Sequence, residues 1–322
     1  MQHSAFKQVD VFTAKPYFGN ALAVVMDGSG MSDADMQRFA RWTNLAETTF
    51  LLPPTPAAQA QGADYRVRIF TPGYEMPFAG HPTIGSCHAW LEAGGTPKLT
   101  DRVVQECPVG LIQIRRTTAT GQRLAFAAPP LQRHALASEA LARVMDALGL
   151  QPSQVLAAQH LHNGPQHVGL LVDSLESVLE LAPNLSALQA LMPTIGVTGV
   201  GVAHVEIAQP ASNLIARSNR EARAFVAAKP AGSWAADPEP SAEVRFFYLA
   251  DQSVREDTVT GSFNASMAQW LIAEGLAPTR YIAAQGTCLG CDGRVHLEQD
   301  QHGQVWVGGD AVTCISGTVV LP

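Results

Sequence analysis

Positive charge is scarce in this chain of 322 residues, which has 21 lysine and arginine residues against 28 aspartate and glutamate residues. The formal net charge of −7 argues against a nucleic-acid-binding protein, because that class needs a basic face. No uninterrupted apolar run approaches the roughly 20 residues that a membrane-spanning helix needs. The first residues lack the charged and apolar regions of a secretory signal. We therefore expect a cytoplasmic protein that binds neither nucleic acid nor a membrane.

Cysteine is also sparse, and its spacing argues against a metal site. Of the five cysteines, Cys288 and Cys291 have the spacing of a zinc knuckle, but no second pair lies at a matching distance. The histidines that follow, His296 and His302, are too casually spaced to complete a zinc site. The chain also lacks a Walker-type loop and a Gly-x-Gly-x-x-Gly loop. We predict a protein without a metal or a cofactor, with its cysteines reduced.

Apolar residues are abundant at 47%, and the length suits about two domains with large buried cores. The best boundary is the Ala128-Pro129-Pro130 segment, which predicts an N-terminal domain over 1–128 and a C-terminal domain over 129–314. The last strand, near 315–322, is a candidate to return to the first domain. The long segment from Gln209 to Pro240 is rich in Ala, Arg and Pro and is predicted as a loop or short helix near a cleft.

The stretch from Gly80 to Ser86 reads as a tight loop that leads into a helix. An alternating strand, Tyr65–Phe70, precedes it. Pro82 is predicted at the first helical position, with Gly80 and His81 just before the helix. The unpaired N–H groups of such an end stabilise negative charge. Taken alone, a Gly-His-Pro sequence before a helix is more often ordinary capping than a functional site.

A second copy of this corner runs from Glu256 to Ser262, and it raises the weight of the functional interpretation. Aligning Gly85-Ser86 with Gly261-Ser262 places His81 opposite Asp257. Both copies read as a strand, an acidic loop, a Gly-Ser pair and a helix of small residues. The repetition predicts a pseudo-symmetric pair of domains that face one cleft.

One carboxylate, Glu47, is set among apolar neighbours in a short turn that feeds a strand. The side chains of Leu45, Ala46 and Phe50 predict an apolar wall, which favours the neutral form of the carboxyl group. A carboxyl group with a raised pKa is suited to general acid and base catalysis. A solvated turn carboxylate is the alternative, and these residues alone leave the two interpretations even.

Short motifs spread over nearly the whole chain share their order and spacing with a known enzyme family. They are Asp10–Thr13, Gly19–Asn20, Asn44–Thr48, Phe70–Pro72, Glu75–Thr83, Glu256–Asp257, Thr260–Ser262, Gln285–Gly286, Gly293–Arg294 and Gly308–Gly309. In these motifs the sequence resembles the phenazine-biosynthesis PhzF-like isomerases, which are relatives in fold of diaminopimelate epimerase. The resemblance implies an α+β fold of two pseudo-symmetric domains, each a mixed sheet around a central helix, with the site in the cleft between them. It also implies a homodimer.

The resemblance further implies the site residues. Glu47, His81 and Asp257 would be catalytic, and Gly80, Gly261 and Ser262 would bind the substrate. The implied activity is that of a cofactor-independent isomerase similar to trans-2,3-dihydro-3-hydroxyanthranilate isomerase. It would move a proton within a small carboxylate-bearing substrate, with Glu47 as general acid and base.

Three alternatives accompany this hypothesis. The first is a racemase or epimerase with two non-thiol bases, Glu47 and either Asp257 or His81, and the second is a catalytically silent small-molecule-binding protein. The third, a two-cysteine racemase, is disfavoured because Cys87 lies well inside the helix and no cysteine lies near Asp257. The chain also departs from the family pattern at Thr258 and Phe263–Asn264. We expect Phe263 to narrow or reshape the pocket, which leaves the physiological substrate open.

Overall fold

The structure is a computed structural model that describes residues 2–117, 123–206, 239–250 and 253–322. It confirms the α+β class, with one mixed sheet and helices packed against it. Its strands are β1 Gln2–Val11, β2 Asn20–Val25, β3 Glu47–Leu52, β4 Tyr65–Phe70, β5 Glu75–Met76, β6 Arg102–Cys107, β7 Gly110–Thr117, β8 Arg123–Ala127, β9 Gln132–His134, β10 Val155–His162, β11 Gln166–Val172, β12 Gly199–Val205, β13 Ala242–Ala250, β14 Ser253–Glu256, β15 Arg280–Gln285, β16 Gly293–Gln299, β17 Val305–Gly309 and β18 Ala311–Leu321.

The α-helices within these ranges are α1 Asp33–Thr43, α2 Pro56–Ala60, α3 Gly80–Glu92, α4 Ser138–Leu148, α5 Leu175–Leu179, α6 Leu185–Leu191 and α7 Gly261–Ala273. Among them, none is both long enough and apolar enough to cross a membrane. The segment from Gln209 to Pro240, predicted as a loop or short helix, lies outside the described residues apart from its last two positions.

The described strands form two sets with the same pairing pattern. In the first set the order is β18, β1, β2, β3, β4, β6, β7 and β8, and all neighbours are antiparallel except the pairs β2–β3 and β4–β6. In the second set the order is β9, β10, β11, β12, β13, β15, β16 and β17, with parallel pairs at β11–β12 and β13–β15. The two patterns therefore match strand for strand.

The two sets meet where β8 pairs antiparallel with β17. The first set includes β18 from the far end of the chain, which pairs with β1 from Gln2↔Leu321 to Val11↔Ala311. We propose that each set is one domain, with the boundary near Ala128 and with β18 completing the first domain.

A buried helix packs inside each strand set. Helix α3 contacts β1, β2, β3 and β8, and α7 contacts β11, β16 and β17. The first eight residues of α3 are all buried, and so are ten of the residues of α7. Apolar or small residues occur on every side of both helices. A helix without a polar face must be covered on all sides, which explains this placement.

The predicted start of α3 is wrong by two residues. The helix begins at Gly80, with Ala79 as its N-cap, so Gly80 and His81 lie in the first turn and Pro82 is the third helical residue. Proline is tolerated there because the first N–H groups of a helix have no intrahelical partner. The alignment of Gly85-Ser86 with Gly261-Ser262 is wrong as well. The two helices begin at Gly80 and Gly261, so these two glycines are the equivalent residues.

The two central helices touch at their N-termini through glycine. A methyl group on Gly80 would lie 3.2 Å from the Cα atom of Gly261, and one on Gly261 would lie 3.3 Å from the Cα atom of Gly80. A side chain at either position would crowd the facing backbone. The absence of side chains thus lets both helix starts converge on one place.

Candidate active site

Glu47 is the first residue of β3 and pairs in parallel with Leu22 of β2. Its side chain is 15% exposed, although it carries a carboxyl group. Burial raises the pKa of Glu47 to about 8, and the nearby charge of Asp257 adds to the shift. The expected raised pKa thus has the predicted physical cause, and the solvated-turn alternative does not describe this side chain.

His81 approaches Glu47 from the first turn of α3. Its Nε2 atom lies 3.1 Å from the Oε2 atom of Glu47, and its side chain is 7% exposed. Burial lowers the pKa of His81 to about 3. At neutral pH both groups are therefore mainly uncharged, and their contact is not an ion pair. Neither atom makes a hydrogen bond within the described part of the chain. Both are thus left available to a third group.

Asp257 comes from the second strand set, directly after β14. Its Oδ1 atom accepts a hydrogen bond of 2.9 Å from the Nδ2 atom of Asn20, and its Oδ2 atom accepts one of 2.6 Å from the hydroxyl of Thr260. Burial raises the pKa of Asp257 to about 6, while these hydrogen bonds act in the opposite direction. Asp257 is thus the more readily ionised of the two carboxyl groups.

The starts of α3 and α7 complete the site. The side chains of their N-caps, Ala79 and Thr260, accept no hydrogen bond from the first-turn N–H groups. Uncapped N–H groups together with the helix dipole favour a negative charge. Ser262 is half-buried in the first turn of α7. The structure thus brings together all six residues that were predicted for the site, although their individual roles stay predictions.

Sequence reasoning missed Tyr248, which lies on β13. Burial raises the pKa of Tyr248 to about 12, and the charges of Asp257 and Glu47 add to the shift. Its hydroxyl therefore stays protonated within electrostatic range of both carboxyl groups. The only signal in the sequence was that Tyr248 ends the strand segment before the second corner.

The expectation that Phe263 narrows the pocket is wrong. The Phe263 ring is fully buried, at 0% exposure, in the main hydrophobic core. It packs against the rings of Phe246 and His167, at centroid distances of 4.8 and 6.0 Å. A side chain on Gly201 would collide with it, so the missing side chain at that position makes room for the ring. Phe263 therefore shapes the core of the second strand set.

Cys87 is buried within α3, and burial holds the pKa of its thiol far above the usual range. Cys288 is exposed and Cys291 is half-buried in the turn after β15. Within the described ranges, no three His, Cys, Asp or Glu side chains are grouped as metal ligands.

Comparison with known proteins identifies the family. The sequence model of the family PhzC-PhzF, described as phenazine biosynthesis-like protein, matches residues 9–317. The chain belongs to this family. Relatives from two Pseudomonas species are named as isomerases, which fits a site built from carboxyl groups and an imidazole.

Individual relatives of this PhzF chain match at different lengths. Antisense-enhancing sequence 1 of Schizosaccharomyces pombe is 31% identical and covers 98% of this chain and 99% of its own. Trans-2,3-dihydro-3-hydroxyanthranilate isomerase of Pseudomonas fluorescens is 35% identical over 56% of this chain and 61% of its own. The crystal structure of the Bacillus anthracis phenazine biosynthesis protein, PhzF family, covers all of both chains with a TM-score of 0.77 at 23% identity. That structure confirms the shared fold.

Proposed function

We propose that this protein is a cofactor-independent isomerase that moves a proton within a small carboxylate-bearing substrate, with Glu47 as the general acid and base. The observation that carries the proposal is the buried contact between Glu47 and His81, 3.1 Å apart, beside two converging helix N-termini. A group that removes a proton from carbon and returns it needs a pKa near the working pH. The pKa of about 8 for Glu47 meets that requirement.

The proposed reaction needs one base and one place for negative charge. The ionised carboxylate of Glu47 takes a proton from a substrate carbon, and the C–H electron pair stays on the substrate as a conjugated anion. The N–H groups at the starts of α3 and α7 stabilise this anion. The Glu47 carboxylic acid then returns the proton to a different carbon, which restores the carboxylate. Neutral His81 and ionised Asp257 orient the substrate from opposite strand sets.

The substrate class follows from the relatives and from the helix starts. A cyclic, unsaturated acid similar to a dihydro-hydroxyanthranilate offers both an acidic C–H bond and a conjugated system that spreads charge. We propose conversion of such an acid to its keto tautomer, in a cytoplasmic homodimer. Sedimentation of the purified protein tests the dimer independently of the chemistry.

Proton NMR in deuterated water tests the reaction on a panel of unsaturated cyclic acids. We expect a migrated double bond, with deuterium at the new C–H position to the extent that the Glu47 carboxyl group exchanges its proton with the solvent before returning it. Glu47→Gln should lower turnover by about 10²–10⁴-fold, the range of general acid and base catalysis, while binding is retained. The exposed Glu298, on β16, provides a matched control in Glu298→Gln, which should leave turnover unchanged. An unchanged rate in Glu47→Gln would remove Glu47 from the mechanism.

The same experiment separates the alternatives. Exchange at one carbon with inversion, and without migration of a double bond, would indicate an epimerase. That possibility has structural support, because Glu47 and Asp257 are two carboxyl groups close enough to shift the pKa of Glu47. Ligand binding without turnover, unaffected by Glu47→Gln, would instead indicate a silent binding protein.

A further inference from the structure

A buried hydrogen-bond network lies behind Asp257, and its centre is Gln285. This residue ends β15 and is 0% exposed. Its Oε1 atom accepts hydrogen bonds from the backbone N–H of Thr260, at 3.0 Å, and from the Nδ2 atom of Asn264, at 2.8 Å. Its Nε2 atom donates to the hydroxyl of Thr260, at 3.0 Å, and to the carbonyl of Asp257, at 3.2 Å. All four hydrogen-bonding positions of the amide are therefore used.

The backbone settles which way this amide faces. The N–H of Thr260 can only donate, so the atom that it meets must be the oxygen of Gln285. The other end of the amide is then NH₂, which can only donate. It follows that the hydroxyl oxygen of Thr260 accepts a hydrogen bond from Gln285.

A hydroxyl group has a single hydrogen, and here its direction is set. Because Thr260 accepts from Gln285, its own hydrogen points to the other near oxygen, the Oδ2 atom of Asp257 at 2.6 Å. The Oδ1 atom of Asp257 accepts from the amide of Asn20. Both oxygens of Asp257 thus face donors, and this arrangement favours the carboxylate over the carboxylic acid.

We propose that Gln285 is a positioning residue that fixes the direction of the Thr260 hydroxyl and so holds Asp257 as an ionised hydrogen-bond acceptor. Two titratable groups on other elements respond to the charge of Asp257, Glu47 on β3 and Tyr248 on β13. Because the charge of Asp257 adds to the raised pKa of Glu47, Gln285 acts on the general base through Thr260 and Asp257. This last consequence rests on the proposed function, whereas the state of Asp257 does not.

The first strand set contains a natural counterpart without the acid. Gln105 on β6 is also 0% exposed, and its Nε2 atom donates to Thr83, the fourth residue of α3, as Gln285 contacts Asn264, the fourth residue of α7. The N-cap of α3 is Ala79, which has no hydroxyl group. Gln105 therefore holds a helix start without a relay to a carboxylate. The relay is specific to the second strand set.

Carbon-13 NMR titration of the Asp257 carboxyl group, in ligand-free protein, tests the proposal. Gln285→Met keeps the length of the side chain and removes its hydrogen bonds. We expect the titration midpoint of Asp257 to rise by roughly one pH unit, since the Thr260 hydroxyl is then free to rotate away. The matched control, Gln105→Met, removes a buried amide from the equivalent place and should leave the midpoint unchanged.

A second pair of variants makes the test independent of whether Gln285→Met folds. Thr260→Val should raise the midpoint as Gln285→Met does, and Thr260→Ser should preserve it. Adding Gln285→Met to Thr260→Val should have no further effect, because Gln285 acts through that hydroxyl. An unchanged midpoint in folded Gln285→Met or in Thr260→Val would overturn the proposal, and so would an equal rise in Gln105→Met. None of these readouts depends on turnover, so a failed isomerase assay leaves them interpretable.

Discussion

Glu47 is the residue at which stability and chemistry conflict. Its pKa is raised from 4.5 to about 8, so the folded protein retains a proton that the unfolded chain releases between these values. The free energy of unfolding therefore falls as pH rises from about 4.5 through about 8. The buried carboxyl group thus destabilises the fold at neutral pH, where a base is needed.

Glu47→Gln should consequently stabilise the protein, although it lowers turnover. Replacing the carboxyl group by a neutral amide removes the cost of keeping Glu47 protonated in the fold at a pH at which the unfolded chain ionises it, about 3 kcal/mol at pH 7. Chemical denaturation at several pH values measures this. The gain should be small near pH 4.5 and should grow toward pH 8. Glu298→Gln, at an exposed position, should show no such trend, and a pH-independent difference for Glu47→Gln would contradict the assigned cause.

The residues of the site differ in how well the sequence predicts them. The burial of Glu47 was predictable from the apolar residues near it in the sequence, although Phe50, one of the side chains expected to form its apolar wall, packs in a cluster with Met36 and Phe70. The role of Gln285 was not, since its partners at Asp257 and Thr260 are 25 or more residues away and meet it only through the pairing of β15 beside β13. Polar networks that join distant strands leave no periodic signal in the sequence.

At the scale of elements, the sequence predicts individual strands and helices well, but it does not show which residues of the two halves are equivalent. The strand predicted over Tyr65–Phe70 is β4, with the same bounds. The repeat was aligned on two chemically similar Gly-Ser pairs, whereas the helices are equivalent at Gly80 and Gly261. Each helix begins where the chain leaves the preceding hairpin, β4–β5 or β13–β14. Two similar dipeptides do not show where that point lies.

The contact between the starts of α3 and α7 predicts the effect of a single methyl group. In an ordinary helix Gly→Ala stabilises, but in Gly80→Ala the new methyl group would lie 2.8 Å from the Phe126 ring and 3.2 Å from Gly261. We expect the free energy of unfolding to fall by about 1–3 kcal/mol, with reduced turnover, because the helix starts must separate. Gly317→Ala, where a methyl group meets nothing, is the control and should change stability by no more than about 0.5 kcal/mol. Equal effects in both variants would refute the role of the contact.

At the scale of the whole molecule, two matching halves carry unequal chemistry. Glu47 and Gly199 occupy equivalent places. Glu47 is the first residue of β3, which runs parallel to β2, and Gly199 is the first residue of β12, which runs parallel to β11. A side chain on Gly199 would overlap the Phe246 ring, only 2.1 Å away. The second half therefore offers no base at that place and contributes Asp257 and its network instead. This asymmetry favours a single proton-transferring base over a symmetric pair.

The chain crosses between the halves twice, at Ala128 and again after β17, and this predicts where the chain tolerates being cut. Because Gln2 pairs with Leu321, a two-residue Asn-Gly turn can join the ends of β1 and β18. A circular permutant opened between Pro129 and Pro130 then makes each strand set continuous in sequence. If the two sets are domains, this permutant should unfold cooperatively, near the melting temperature of the parent, and retain turnover.

A second permutant, opened between Thr49 and Phe50, uses the same turn but cuts a strand whose four central residues are buried. It should be destabilised or fail to fold, because broken backbone pairing within β3 exposes buried polar groups and separates Glu47 from its strand. Melting of both permutants by circular dichroism decides the matter. If the cut at Pro129 were as damaging as the cut in β3, the boundary near residue 128 would be wrong, and the two strand sets would have to be regarded as one folding unit.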